Sequence, residues 1–373
     1  MDRGWIEIEW GTTIKSTPPV LRVRCVVCYD SLITHHSLNP NSSCSVCMNT
    51  DPSQKNLSEH HKAYQALVDE VVVLTGPTAS GKSRLAIEVA KSINGEILSL
   101  DSIAVYRKMD IGTAKPSLVE QTQVTHHLID LVEPNEEYSV ACYMEAAHIA
   151  VDEIKSRGKI PIFVGGTPMF LKGILRGFNP GPPADWEFRK AVEADVKIHG
   201  TSALKARLFQ VDPLAASRIH DSDVRRMIRA LEFSKITGTP ISHHQTQFES
   251  NRDWSECNVF TLAWPRQQLH CRINQRVESM FEQGLIEEVR NLLNQYGELS
   301  RTASQAVGYR EIIKGLKDNH TRNKMIEEVA AHSRQLARRQ ETWFRSFPEI
   351  QSIEMSDDVD ISGLANDLTA KIR

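Results

Sequence analysis

The chain of 373 residues lacks several features that would assign its class directly. It has no run of eighteen apolar residues, and its first residues, Met1 to Trp5, lack the apolar stretch of a signal peptide. These absences argue against a membrane span and against secretion, so we expect a cytoplasmic protein without membrane contact. The sequence also has no internal repeat and no low-complexity tract, so nothing indicates a repeat architecture.

A strong excess of charge of either sign is also missing, since the formal net charge is -3. This balance argues against a uniformly basic nucleic-acid binder, but it allows a local basic face. Such a region lies between Arg301 and Arg345, where ten Lys and Arg residues stand against five Asp and Glu residues. Its arginines alternate with Trp343 and Phe344, a combination that suits RNA phosphates and unstacked bases.

Cysteine is scarce outside the first fifty residues. Cys142, Cys257 and Cys271 occur singly, and we expect them to be small buried side chains rather than disulfide partners. The four others form two C-x-x-C pairs fifteen residues apart, the spacing of a four-thiolate zinc site. These candidate zinc ligands are Cys25, Cys28, Cys44 and Cys47. The alternative is a leader without a fold of its own, or true initiation at a later methionine such as Met48.

One stretch indicates a single kind of chemistry, because it fits the pattern G-x-x-x-x-G-K-[ST] of a phosphate-binding loop. The apolar run Val71–Leu74 before it predicts a buried parallel strand, and apolar residues at helical spacing after it predict a helix. The loop N–H groups and Lys82 would bind phosphate, and the Ser83 hydroxyl would bind Mg²⁺. The predicted phosphate ligands are Gly76, Pro77, Thr78, Ala79, Ser80, Gly81, Lys82 and Ser83. A glycine-rich turn that binds nothing is the alternative.

The pattern of strands and helices that follows predicts an α/β fold, with a parallel sheet flanked by helices and a helical insertion. Residues 1–65 form a Cys-rich extension, and residues 66–183 and 251–347 form the two parts of the core. The proline-rich segment before residue 184 indicates a boundary, after which residues 184–250 are helical. Residues 348–373 are acidic and weakly patterned, and we predict a tail to which we assign no function.

Polar residues follow the predicted strands at the edge where such sheets bind ligands. Asp101 follows the strand Glu96–Leu100, and Thr167 follows the strand Lys159–Val164 and two glycines. Asp101 could hold Mg²⁺, act as a general base, or cap a turn. Between them lies a loop in which Gly112 permits close approach, while Thr113 and Lys115 are candidate phosphate ligands.

In combination these segments resemble the tRNA dimethylallyltransferases, also called tRNA isopentenyltransferases, over about Val71 to Phe347. The segments that carry the resemblance are Gly76–Ser83, Asp101–Ser102 with Met109–Pro116, Val164–Thr167, and Val307–Arg310 with Arg334–Arg345. The sequence departs from the family pattern at Ile103-Ala104, Lys108 and Pro168-Met169-Phe170, where Met-Gln, Gly and Gly-Leu-Tyr are usual.

The resemblance implies transfer of a dimethylallyl group from its diphosphate to N6 of adenosine 37, in tRNAs that read codons beginning with U. It makes Asp101 the proton acceptor, with Thr167 and Arg189 as contacts near the reaction channel and the helical insertion as the part that grips the anticodon stem-loop. The implied cofactor is Mg²⁺, and the expected state is a monomer. The tRNA contacts carried over from the family are Asp101, Ser102, Ile103, Ala104, Thr167, Arg189, Gln305, Gly308, Tyr309 and Arg310.

Three other functions compete with this expectation. An adenylate isopentenyltransferase acting on AMP would need neither the helical insertion nor a basic C-terminal helix. A kinase that uses ATP would need an acceptor site and usually a pair of lid arginines, which the sequence does not identify. A nucleic-acid binding module would leave the phosphate loop vestigial and would rely on the Cys-rich leader and the arginine-rich helix.

Overall fold

The computed structural model describes residues 63–244, residue 254 and residues 257–372. The predicted zinc ligands in the Cys-rich leader lie outside the described residues. Within the described part, no helix is both long and apolar enough to cross a membrane.

A parallel sheet forms the centre of the described chain, as the sequence predicted. Its strands are β1 (Val72–Thr75), β2 (Gly95–Leu100), β3 (His126–His127), β4 (Ile160–Gly165), β5 (Val259–Ala263) and β6 (Gln351–Glu354). They pair in the order β3-β2-β4-β1-β5-β6, and every pair is parallel. The central strand β1 is buried on both faces, which explains why its residues are almost all apolar.

Helices cover both faces of this sheet and form the insertion. They are α1 (Lys82–Ser92), α2 (Leu118–Gln123), α3 (Val140–Ser156), α4 (Pro168–Arg176), α5 (Trp186–Val211), α6 (Pro213–Arg218), α7 (Val224–Thr237), α8 (Ile241–His244), α9 (Arg266–Glu282), α10 (Leu285–Tyr296), α11 (Arg301–Ser304), α12 (Tyr309–Lys317), α13 (Arg322–Phe344) and α14 (Ile361–Lys371).

Three buried apolar clusters hold these elements together. One lies on the face of the sheet that packs against α1, and it includes Leu85, Ile162 and Leu262. A second lies on the opposite face, where the rings of Tyr143 and Phe170 stack with centroids 3.8 Å apart. The third belongs to the insertion, where α5, α6 and α7 bury their own apolar side chains. The insertion therefore has a core of its own.

The residues after 348 are part of the fold, which corrects the expectation of a tail. Strand β6 extends the sheet in parallel to β5, and α14 packs against α1 with Ala365 and Leu368 buried. Asp360 begins α14 by accepting hydrogen bonds from the N–H groups of Ser362 and Gly363. A strand of four mostly exposed residues gives no periodic signal in a sequence, which is why this segment was missed.

The expectation for the three single cysteines is only partly correct. Cys257 is buried, but Cys142 and Cys271 are exposed on α3 and α9. None of the three forms a disulfide within the described part of the chain.

Candidate active site

The site is assembled where three neighbouring strands end. Because the sheet order is β2-β4-β1, the loops that follow these strands lie side by side. Leu100 at the end of β2 and Thr75 at the end of β1 are both in register with Gly165 at the end of β4. The Thr75 hydroxyl also donates to the Gly165 carbonyl at 2.9 Å. Asp101, the phosphate loop and Thr167 therefore meet at one edge of the sheet, as the sequence predicted.

The phosphate loop has the conformation that an anion site requires. Ala79 and Gly81 have positive φ angles of 64° and 86°, and α1 begins at Lys82 without a side-chain cap. The first N–H groups of α1 therefore have no capping side chain, and the positive end of the helix dipole faces the loop. The Lys82 ammonium donates to the Pro77 carbonyl at 3.3 Å. This arrangement is suited to a phosphate or diphosphate group.

Two cations share this region. Burial and the nearby guanidinium of Arg276 lower the pKa of Lys82 to about 8, although Asp101 opposes the shift. Burial likewise lowers the pKa of Arg276, whose guanidinium donates to the Thr113 carbonyl at 3.3 Å. Placing two cations so close together, with a single carboxylate acting on both, leaves positive charge that an anion would neutralise.

Asp101 is held in a defined orientation by its own loop. One carboxylate oxygen, Oδ1, accepts hydrogen bonds from the N–H groups of Ile103 at 2.8 Å and Ala104 at 3.3 Å. Among the described residues, none donates a hydrogen bond to the other oxygen, Oδ2. Thr167 contacts the same loop, since its hydroxyl accepts from the Ser102 N–H at 3.0 Å. The carboxylate therefore has one oxygen available for a substrate proton.

A cavity of about 460 Å³ opens above these residues. Its lining includes many of the predicted site residues, namely Thr78, Lys82, Ser83, Asp101, Ser102, Ile103, Ala104, Thr113, Lys115, Thr167, Gln305 and Arg310. A second cavity of about 680 Å³ lies on the other side of the phosphate loop and is lined by Ala79, Ser80 and Gly81. Lys82, Ser83 and Arg276 line both cavities. The cationic pair therefore lies where the two cavities meet.

Three of the predicted site residues have other contacts than the sequence predicted. Lys115 lines the cavities, but its ammonium is already bound by Asp110 at 2.6 Å, Asp130 at 2.7 Å and the Tyr106 carbonyl at 2.9 Å. With its side chain only 4% exposed, Lys115 holds its loop together rather than presenting a free cation. These three interactions account for the burial of the Lys115 ammonium without a phosphate ligand.

Arg189 is not among the residues that line either of these two cavities. It lies in α5 of the insertion, where its guanidinium forms a two-pronged ion pair with the buried Glu232, both bonds being 2.7 Å long. It also packs over the Trp186 ring at 4.9 Å. In this structure Arg189 joins α5 to α7 rather than reaching the channel that the family pattern implied.

Tyr309 is completely buried, so its side chain cannot contact RNA in this conformation. Its ring lies against Gly112, where an added Cβ atom would come within 2.4 Å of the ring. Gly112 therefore allows close packing of two parts of the cavity wall, as the sequence suggested, but against a tyrosine and not a phosphate. The neighbouring Gly308 N–H donates to the Glu311 carboxylate at 2.7 Å, which fixes the turn before Arg310.

Several residues of the site were not predicted from the sequence. The Gln340 side chain joins two loops, since its carbonyl accepts from the Thr78 N–H at 2.9 Å and its amide donates to the Gly166 carbonyl at 2.7 Å. Arg272 donates to the Ala79 carbonyl at 3.0 Å and stacks on Trp264 at 4.2 Å. Together with Arg276, these residues come from α9 and α13, which are distant from the loop in sequence.

The face of α13 away from the cavity that contains Asp101 lines a third and larger cavity, of about 840 Å³. Its wall combines Arg334 and Arg338 of α13 with aromatic side chains and with Pro77 of the phosphate loop. The basic and aromatic lining residues are Arg266, His270, Arg334, Arg338, Arg345, Trp264, Phe344 and Phe347. The rings of Trp264, Phe344 and Phe347 are buried, so the arginines are the groups that this surface offers to RNA phosphates. Phe344 therefore cannot stack on an unpaired base in this conformation, which corrects the expectation from the sequence.

Comparison with known proteins gives a consistent result. The family model described as IPP transferase matches residues 104–347, and the one described as isopentenyl transferase matches residues 69–133. A tRNA dimethylallyltransferase of Rhodopirellula baltica is 56% identical over 298 residues, which cover 78% of this chain and 89% of that protein.

Solved structures are similar as well. The full-length tRNA isopentenylpyrophosphate transferase of Bacillus halodurans is 38% identical with a TM-score of 0.59, and the match covers 81% of this chain and 96% of that one. A eukaryotic dimethylallyltransferase described as acting on tRNA is 26% identical with a TM-score of 0.65, and the match covers 77% and 74% of the two chains.

Proposed function

Since the chain belongs to the IPP transferase family of tRNA dimethylallyltransferases, we propose how its own residues carry out the transfer of a dimethylallyl group to tRNA. The acceptor is N6 of adenosine 37 in tRNAs that read codons beginning with U, and the products are N6-dimethylallyladenosine and diphosphate. The observation that carries the proposal is the meeting of two cavities at Lys82 and Arg276, beside the available oxygen of Asp101.

The donor, dimethylallyl diphosphate, places its diphosphate in the phosphate loop. The N–H groups at the start of α1 donate to its oxygens, and Lys82 and Arg276 neutralise its charge. As the allylic C–O bond breaks, both bonding electrons leave with the diphosphate, so negative charge increases on its oxygens. Groups that are already buried and oriented stabilise that charge more than they stabilise the ground state.

The acceptor adenine enters from the cavity lined by Asp101 and Thr167. An unpaired base in a loop can be turned out of its stack at modest cost. A new bond forms between N6 and the allylic carbon, and the N6 proton passes to the available oxygen of Asp101. The hydrogen bonds from Ile103 and Ala104 keep the carboxylate fixed during this transfer.

A magnesium ion fits the residues at this site. Among the described residues, no three His, Cys, Asp or Glu side chains converge on one point, so a site made only of protein ligands is not indicated. Mg²⁺ commonly uses one or two protein oxygens, water and substrate phosphates instead. The exposed Ser83 hydroxyl, which lines both cavities, would be the protein ligand beside the diphosphate. When bound, the ion would neutralise part of the charge that develops on the leaving group.

The RNA is bound by the arginine-rich face of α13 and by the insertion. The large cavity beside α13 supplies arginines for the phosphates of loop nucleotides, which a small acceptor such as AMP would not need. We also propose that the enzyme acts as a monomer, because one chain supplies the phosphate loop, the proton acceptor and the arginine-lined surface that the reaction needs. The cytoplasm, where tRNA is available, is the proposed compartment.

The test is to incubate the full chain with dimethylallyl diphosphate, Mg²⁺ and either unmodified tRNA or AMP. We expect an added prenyl mass on one adenosine of the tRNA and none on AMP. Product only on AMP, or on neither acceptor while an active relative modifies the same tRNA, would reject the proposal.

The role of Asp101 is tested by Asp101→Asn, which keeps an oxygen for the Ile103 and Ala104 N–H groups but cannot accept the substrate proton. We expect kcat to fall by a factor on the order of 10² to 10⁴, while tRNA affinity changes less than about twofold. Asp152→Asn, on an exposed face of α3, is the matched control. A normal kcat in Asp101→Asn would mean that Asp101 only shapes its loop.

A further inference from the structure

A carboxylate outside the motifs identified in the sequence holds the loop that forms one wall of the reaction cavity. The Oε2 atom of Glu288, in the first turn of α10, accepts hydrogen bonds from the N–H groups of Asp110 at 3.0 Å and Ile111 at 2.8 Å. Its Oε1 atom accepts from the Gly112 N–H at 3.3 Å and from the Tyr309 hydroxyl at 2.6 Å. Glu288 therefore binds three successive backbone N–H groups and one buried side chain.

Three successive N–H groups that converge on one anion form a nest of the kind that also binds phosphate. Here the protein fills that nest with its own carboxylate. The loop that the sequence suggested as a phosphate ligand is therefore occupied by Glu288 at this point, and the phosphate loop remains as the place for the substrate's diphosphate.

The loop held in this way reaches the diphosphate site through its next residue. The Thr113 carbonyl accepts from the Arg276 guanidinium at 3.3 Å. Residues 112–116 line the cavity that contains Asp101, and residues 110, 111, 114 and 115 line the cavity on the other side of the phosphate loop. Any loosening of residues 110–112 therefore moves the acceptor that orients Arg276.

We propose that Glu288 is a positioning residue for the diphosphate substrate, a role that deepens the proposed function and rests on it. It acts through the loop and Arg276 rather than by touching substrate. Its neighbour Glu287 provides a matched control, because it is on the same helix turn, has a side chain that is 63% exposed, and pairs with Arg290 on the surface.

The variants Glu288→Gln, Glu288→Ala and Glu287→Ala separate this role from general stability. Glutamine keeps one oxygen for the Asp110 and Ile111 N–H groups, but its NH₂ group cannot accept from Gly112. Alanine leaves all three N–H groups and the Tyr309 hydroxyl without their partner, which is a large loss for partly buried groups. We therefore expect an ordered series in which glutamine is intermediate.

Two measurements are made on each full-length variant. The first is the Kd of inorganic diphosphate with Mg²⁺ by calorimetry, and the second is the pair of KM values for dimethylallyl diphosphate and tRNA. In Glu288→Ala we expect the Kd and the KM for dimethylallyl diphosphate to rise roughly tenfold. The KM for tRNA and all values in Glu287→Ala should stay within about twofold of wild type.

The outcomes are distinguishable. If Glu288→Ala melts at a lower temperature but binds diphosphate like Glu287→Ala, then Glu288 is only structural and the inference is wrong. If diphosphate affinity falls in the expected order while no variant, including wild type, modifies tRNA, the positioning role stands and the proposed acceptor is rejected. Equal rises in the KM values for both substrates would also overturn the inference, since they would indicate general loosening of the cavity.

Discussion

The lowered pKa of Lys82 predicts an alkaline limit to substrate capture. Burial and the nearby Arg276 bring this pKa from 10.5 to about 8, so the free enzyme loses the ammonium charge as the pH rises through 8. The shift corresponds to roughly 3 kcal/mol of disfavour for the charged form, which a bound diphosphate would offset. Burial of the charged lysine costs stability below about pH 8. Between about pH 8 and 10.5 the folded protein has lost this proton while the unfolded chain still binds it, so the free energy of unfolding rises with pH. Loss of activity there would therefore not reflect unfolding caused by this lysine.

The prediction is that kcat/KM for dimethylallyl diphosphate falls about tenfold per pH unit above pH 8, since this ratio reports ionisations of the free enzyme. In contrast, kcat should decline only at higher pH, because the bound diphosphate stabilises the ammonium. Steady-state kinetics at saturating tRNA between pH 7 and 10 measure both. Bases of the tRNA also titrate in the alkaline range, and Lys82→Arg is the control because its guanidinium stays charged. A wild-type kcat/KM that is flat to pH 10, or that falls equally in Lys82→Arg, would refute the reasoning.

Two further changes test the electrostatics elsewhere. Arg276→Gln should raise the KM for dimethylallyl diphosphate by a factor of about 10 to 100 with little effect on tRNA affinity, because it removes a partly buried cation that we propose neutralises the diphosphate. The exposed Arg290→Gln in the same kinetic assay is the control, and equal KM values for the two variants would contradict the assignment. Glu96 is buried at the opposite end of β2, and although burial raises its pKa, hydrogen bonds from Lys159, His127 and Arg157 outweigh this and lower the pKa to about 2. Its ionised form should contribute stability that is complete above about pH 4.5 and is lost as the pH falls towards 2, about 3 kcal/mol in all, so urea unfolding of Glu96→Gln should lack this acid dependence.

Most of the fold could be predicted from the sequence because local patterns and tertiary structure agree. The apolar run before the phosphate loop became β1, and the predicted strand Glu96–Leu100 became most of β2. Strands β3 and β6 were missed, since two or four partly exposed residues give no periodic signal. They are strands only because β2 and β5 provide neighbours with which to pair.

Only some residues of the site could be predicted from the sequence. Asp101, Lys82 and Thr167 were predicted because each follows a recognisable strand, and parallel strands bring their ends together. Arg276 and Gln340 could not be predicted, because an arginine or glutamine on an amphipathic helix has the same pattern whether it faces solvent or a neighbouring loop. For Lys115 the residue type suggested phosphate binding, and only the structure shows that two carboxylates already pair with it.

The two hydrogen bonds of Gln340 have a thermodynamic consequence. Its helix, α13, carries the arginines proposed to hold the RNA, and the Gln340 amide fastens that helix to the phosphate loop at Thr78 and to the loop of Thr167 at Gly166. A displacement of the helix on one substrate's arrival is thereby transmitted to the other's binding site. Thermodynamic linkage then requires equal effects on the two affinities. If bound RNA raises the affinity for the prenyl donor by some factor, the bound donor raises the affinity for RNA by the same factor.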